Sequence, residues 1–279
     1  MFARKLVYRR PGKDSETEIL NEVRAIEKLS KSGSHKHIVP VLNHGWLPTA
    51  SYYSFDMESC DFDLEYYVLG HTFSRPSDQL RPSPYAPYQR FQTAQIMEQI
   101  TNAIAFIHSK GEVHRDLKPR NGISYFLRFI NLVLYSSKAG AWKITDFGLT
   151  AQGGSQNANT TVYARGTSGY RAPEMIREEH QTFTNKVDIW ALGCLLFEVF
   201  SGKKAFVSDG AVLEYCLLGQ KPPVRRFDDG LEWDALNEIL GNMLEVEPSA
   251  RKSAEHFHTA FLSFLLQLQR VLRGDLPSF

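Results

Sequence analysis

The chain has 279 residues, of which 43% are hydrophobic and 23% charged, ordinary values for a soluble globular protein with a real core. A net charge of +1 excludes a general binder of nucleic acid or membrane surface, which needs a strong basic excess to read phosphate. The length allows one large domain or two small ones.

Along the chain, imperfect alternation over Phe2–Tyr8 predicts a strand, and Lys13–Asp14 reads as a turn. Ile19, Val23, Ile26 and Leu29 recur at helical spacing, predicting a helix over Glu16–Leu29. His37–Leu42 and Tyr52–Met57 read as two further strands. Gly70–Pro87, rich in Pro, Ser and Arg, reads as a surface loop. Phe91–His108 places Ile96, Ile100, Ala103, Ile104 and Ile107 on one face, so a long amphipathic helix is expected. From about Asp188 helical patterns dominate. Strands with one helix come first and mostly helices follow, which predicts a small sheet lobe ahead of a larger helical one.

Three widely separated cysteines, Cys60, Cys194 and Cys216, form no C-x-x-C pair, so neither a zinc site nor redox chemistry is expected. Reduced thiols and the lack of an apolar leader predict a cytoplasmic or nuclear protein. The longest apolar run, Ile189–Phe200, contains Trp190, Gly193 and Glu198 and is too short to cross a bilayer.

The chemistry-bearing stretch is His114-Arg115-Asp116-Leu117-Lys118-Pro119-Arg120-Asn121, followed by Asp146-Phe147-Gly148 and Ala172-Pro173-Glu174. An eight-residue loop and two triplets in this order resemble the eukaryotic protein kinases. Lys118-Pro119 points to the Ser/Thr branch.

The resemblance covers nearly the whole chain. It implies an α+β, protein-kinase-like bilobal fold: a partial, β-rich N-lobe over residues 1–58 and an α-helical C-lobe over 59–279. It also implies a protein substrate bearing Ser or Thr, with ATP and Mg2+ as cofactors; the near-neutral charge and the short apolar run predict no direct nucleic-acid partner and no membrane insertion.

Role by role, the resemblance makes Asp116 the catalytic base, and gives Lys118 the transferring phosphate and Thr167 a contact to both. Asn121 and Asp146 supply oxygen ligands to magnesium, a hard cation. Phe2-Ala3-Arg4-Lys5 resembles the V-A-I-K strand, so Lys5 steadies phosphates and a helix glutamate holds it. Glu22 is the best match, with Glu18 and Glu27 as competitors. Ala3, Met57 and Leu134 line the nucleotide pocket, Glu58–Cys60 offer backbone groups to adenine, and Asp63 approaches the ribose. Met57 reads equally well as plain core.

The resemblance also makes Gly148–Glu174 the activation segment, expected to be mobile in its polar, glycine-rich middle, with Thr160 and Thr161 as candidate phosphosites and Arg115 as the anchor for their phosphate. The resemblance further implies that Asp188 lies on the buried helix supporting the catalytic loop and that Arg251 pairs with Glu174.

Two departures stand out. No G-x-G-x-x-G covers the phosphates, so a truncated gene product or gene model with an exposed sheet edge is expected, and a catalytically impaired binding module is the rival reading. Residues 122–132 interrupt the passage from Asn121 to Val133. The stretch is apolar and lacks turn chemistry, which suggests a translated intron remnant. The alternatives are a genuine hairpin extension, or Asn131 as the metal ligand in place of Asn121.

Overall fold

Alternating exposure along β1 (Phe2–Tyr8) turns Ala3, Lys5 and Val7 inward and leaves Phe2, Leu6 and Tyr8 in solvent, as the period of two requires. This is seen in a computed structural model that describes residues 2–9, 13–30, 35–48, 51–73, 86–119, 132–155, 159–161, 165–176, 181–218 and 231–273.

Helix α1 (Lys13–Leu29) follows, then β2 (Val41–Trp46) and β3 (Tyr52–Glu58), giving an antiparallel sheet in the order β1-β3-β2. Lys5 lies opposite Phe55 on β3, and Ala3 opposite Met57. Ile19, Ala25, Ile26 and Leu29 bury the apolar face of α1. Two expected boundaries move. Lys13 and Asp14 open the helix rather than a turn, because acidic Asp14 and Glu16 near its start complement the positive end of the helix dipole even without an apolar stripe. The ladder expected at His37–Leu42 begins only at Val41, since Pro40 has no N–H to donate. Ahead of it, Ile144 N donates to His37 O at 2.9 Å and Val39 N to Ile144 O at 2.9 Å, and these bonds tie the small lobe to the large one.

The remaining elements are β4 (Phe62–Asp63), α2 (Leu64–Phe73), α3 (Ala86–Ser109), β5 (Glu112–Val113), β6 (Val133–Ser136), β7 (Ala141–Ile144), β8 (Ala151–Gln152), β9 (Asn159–Thr161), β10 (Gln181–Phe183), α4 (Lys186–Ser201), α5 (Asp209–Leu218), α6 (Leu231–Met243) and α7 (Ala254–Arg273). Thus α2 and α3 enter both ends of the expected loop Gly70–Pro87, whose residues 74–85 lie outside the described ones.

Small sheets β4-β6-β7 and β5-β8 flank residues 114–119, the described start of the loop after β5, while α3, α4, α6 and α7 build the helical core, in which Trp190 of α4 is fully buried. Residues 120–131, which hold most of the interrupting stretch, lie outside the described residues. Leu132, its expected last residue, is fully buried, and its carbonyl accepts a 3.0 Å bond from Thr145 N–H. Leu132 is therefore core. β9 pairs with β10, so part of the expected mobile middle of the activation segment is a strand.

No helix among the described residues is long and apolar enough to cross a membrane.

Candidate active site

Strand β1, helix α1 and the turn after β7 each send one charged side chain to the same point. Lys5 Nζ donates to Glu22 Oε1 at 2.6 Å and to Asp146 Oδ1 at 2.8 Å. Of the competing glutamates, Glu27 is exposed, and the side chain of Glu18 lies outside the described ones. Burial opposes the Lys5 charge, but Asp146 and Glu22 outweigh it and raise its pKa well above the ordinary lysine value.

The two carboxylates shift in opposite directions. Burial, reinforced by repulsion from Asp146, lifts Glu22 above the usual carboxylate range. Burial also opposes the Asp146 charge, yet Lys5 prevails and holds that carboxyl low. Asp146 therefore keeps its charge, and Glu22 is the easier of the two to protonate.

A cleft of about 230 Å³ is lined by Lys5, Glu22, Asp146 and Asp116. Asp116 sits on the loop after β5. Thr167 Oγ1 donates to Asp116 Oδ1 at 2.8 Å, Lys118 Nζ reaches Asp116 Oδ2 at 2.8 Å, and Lys118 also bonds Thr167 Oγ1. The loop hangs on Asp188 of α4, whose buried carboxylate accepts the backbone N–H groups of His114 and Arg115 at 2.8 Å each, and His108 Nε2 lies 2.8 Å away. Burial opposes the Asp188 charge, but these partners lower its pKa overall.

Arg115 (φ 68°) and Asp146 (φ 65°) are the two non-glycine residues with left-handed backbone among the described residues. Such strain persists where surrounding contacts over-determine it, often at functional sites. The Arg115 guanidinium donates to Leu149 O at 2.6 Å and stacks over Phe183. Burial first, then nearby Arg165, pushes its pKa down to about 10.

The other expected site residues lie away from the lining of this cleft. Met57 is buried, with its sulfur 3.7 Å from Thr145 Oγ1. The N–H of Glu58 is taken by Pro40 O at 3.1 Å and its carboxylate by Lys143 at 2.7 Å and Ser136 at 2.6 Å. Cys60 is half-buried, and burial, aided by Glu58, pushes its thiol up to about 11. Asp63 Oδ1 accepts from Tyr66 N–H at 2.7 Å, capping α2, and its backbone pairs with Leu134. Ala3 packs partly buried against the core. Asn121 and Asn131 lie outside the described residues; Thr160 is exposed on β9, and the side chain of Thr161 is outside the described ones.

Sequence reasoning missed Asp209, which ties down the segment before Ala172 through Arg171 at 2.6 Å and Gly169 N–H at 3.0 Å. No local pattern marks it, since its partners are 38 and 40 residues away. Arg251, by contrast, grips Glu174 with two bonds of 2.6 and 2.9 Å, as expected.

A sheet lobe with one helix, a helical lobe and a charged cleft between them define a bilobal protein kinase fold. The Protein kinase domain family matches residues 1–261, and the chain belongs to that family. It is 32% identical over 251 residues to Serine/threonine-protein kinase chk-2 of Caenorhabditis elegans, which covers 85% of this chain and 44% of that protein. It is 26% identical over 254 residues to Calcium/calmodulin-dependent protein kinase cmkA of Emericella nidulans, covering 90% and 53%. Against Serine/threonine-protein kinase RAD53 of Saccharomyces cerevisiae it is 26% identical over 266 residues, covering 90% and 30%. The chain thus spans about half the length of these relatives or less.

Proposed function

We propose that this domain transfers the γ-phosphate of ATP to a Ser or Thr hydroxyl of a protein substrate. The observation that carries the reading is one cleft lined by Lys5, Glu22, Asp146 and Asp116, with Lys5 bonded to Glu22 and Asp146, and Asp116 bonded to Lys118 and Thr167. Phosphoryl transfer is mostly positioning and charge stabilisation, and these groups supply both.

In this reading Asp116 accepts the proton of the attacking hydroxyl, and Thr167 fixes the orientation of its carboxylate. Lys118, 2.8 Å from Asp116, steadies the phosphoryl group as it moves. Lys5 holds the non-transferring phosphates, and Glu22 holds Lys5.

The donor set fits magnesium. Asp146 stays ionised, and this hard cation takes one or two carboxylates while keeping water and phosphate oxygens. Bound there, it would offset the phosphate charge. The relatives' printed names support Ser/Thr rather than another acceptor.

Binding and turnover separate in one comparison. Mg-ATP at about 100 times its Kd adds about 2.7 kcal/mol of stability, and Asp116→Ala keeps that shift while losing transfer. An unchanged Tm with Mg-ATP contradicts the reading.

A further inference from the structure

A second charge cluster lies on α1, away from the cleft. The Glu112 side chain is fully buried in β5, two residues before His114. Arg24 Nη2 reaches Glu112 Oε2 at 3.0 Å, and Lys28 Nζ reaches Glu112 Oε1 at 3.0 Å. Both cations come from α1, the helix that carries Glu22. A buried carboxylate without partners is strongly disfavoured, so Glu112 holds both cations to itself.

Its own position is rigid. Glu112 and Val113 pair with Gln152 and Ala151 of β8, and the backbone just beyond is fixed by Asp188. Arg24 Nη2 also approaches Thr150 O, at 3.5 Å, next to β8.

We infer that Glu112 is a positioning residue that sets the roll of α1 and thereby holds Glu22 on Lys5. The geometry of a helix carries the argument. At 3.6 residues per turn, Arg24 lies about 200° round α1 from Glu22, and Lys28 one turn beyond Arg24 on the same side. The Lys5–Glu22 bond and the buried apolar residues hold only one side of α1 and leave the helix some freedom to roll about its axis. A second attachment on the opposite face, made by two side chains four residues apart, removes that freedom and fixes the axial position too. The helix is thus gripped by the small lobe on one face and by the base of the Asp116 loop on the other. The kinetic part of this inference rests on the phosphotransfer reading; the structural part does not.

The test compares wild-type full-length protein with Arg24→Ala/Lys28→Ala and with Glu112→Gln, which removes the fully buried carboxylate and carries the test should the double variant fail to fold. Hydrogen exchange of α1 amides is expected to quicken about three- to thirty-fold, with α3 and α4 unchanged. The kcat should fall by a similar factor with KM for the protein substrate held, and Arg24→Lys should restore most of it. In a Glu22→Gln background the same substitutions should cost no further kcat. Unchanged α1 exchange, equal loosening of α3 and α4, or full additivity with Glu22→Gln overturns the inference. An inactive wild type with the predicted exchange pattern contradicts phosphotransfer and still supports the clamp.

Discussion

Lys5 and Asp146 stand 141 positions apart in the chain and 2.8 Å apart in space. That contact spans the two lobes, and Glu22 shares the same ammonium at 2.6 Å. One cation between two carboxylates leaves them unequal, and the inequality has a pH consequence.

Glu22 has a raised pKa, so as pH falls it takes up its proton before an ordinary glutamate would; Asp146, held low, keeps its charge. The Lys5–Glu22 pair is therefore the first of the two to be lost on acidification. We expect kcat/KM to decline on the acid side at a pH above the usual carboxylate value, about 4.3 for glutamate. Glu22→Gln should be less active throughout and lack that acid limb. A pH–rate profile of both proteins measures it.

Asp188 tests the support of the loop that carries Asp116. Its pKa is lowered in the fold, so its contribution to stability is present above its unfolded pKa and lost as pH falls through the folded one. Asp188→Asn leaves at least one buried backbone N–H poorly paired, at a cost of about 1–3 kcal/mol. Urea unfolding at neutral pH and at pH 3 checks this: the gap between the two proteins should narrow in acid.

Much of the site was legible before any coordinates. The ordered loop and triplets pointed to Asp116, Lys118 and Asp146, and a four-residue strand pattern was enough to find Lys5. Glu22 was separable from Glu18 and Glu27 only by the apolar residues beside it. Other features left no local trace. Glu112 is a single acid between Gly111 and Val113, and nothing in a two-residue strand tells whether it faces solvent or core. The start of α1 was hidden because Lys13–Glu18 is polar throughout, so no apolar periodicity announces it. Pro40 shifted β2 by breaking a run whose hydrophobicity alone reads as continuous strand.

The Arg251–Glu174 pair is a third point of attack. The Arg251 guanidinium is fully enclosed, sits 5.1 Å from the Trp190 ring centroid and also donates to Glu245 O at 2.7 Å. Breaking a buried pair by removing one partner costs about 3–5 kcal/mol, so Arg251→Ala should unfold at much lower urea with the m-value unchanged.

Gly166 has φ +99°, and a Cβ there would stand 2.7 Å from Arg115 O. An L side chain meets left-handed strain of about 1–2 kcal/mol in addition to that backbone clash. Gly166→Ala should push Thr167 off Asp116 and lower kcat more than KM, as steady-state kinetics would register.

The thiol of Cys60, lifted to about 11, remains protonated at neutral pH. Iodoacetamide should modify it more slowly at pH 8 than a free cysteine, whose pKa is about 8.5. Mass spectrometry of the alkylated protein gives the rate.

Transfer of labelled γ-phosphate from Mg-ATP to protein, followed by phosphoamino-acid analysis, is the most direct measurement of the central claim. The account predicts phosphoserine or phosphothreonine with the wild-type full-length protein and none with Asp116→Asn, whose fold and nucleotide binding stay intact. Equal labelling by both proteins would contradict it.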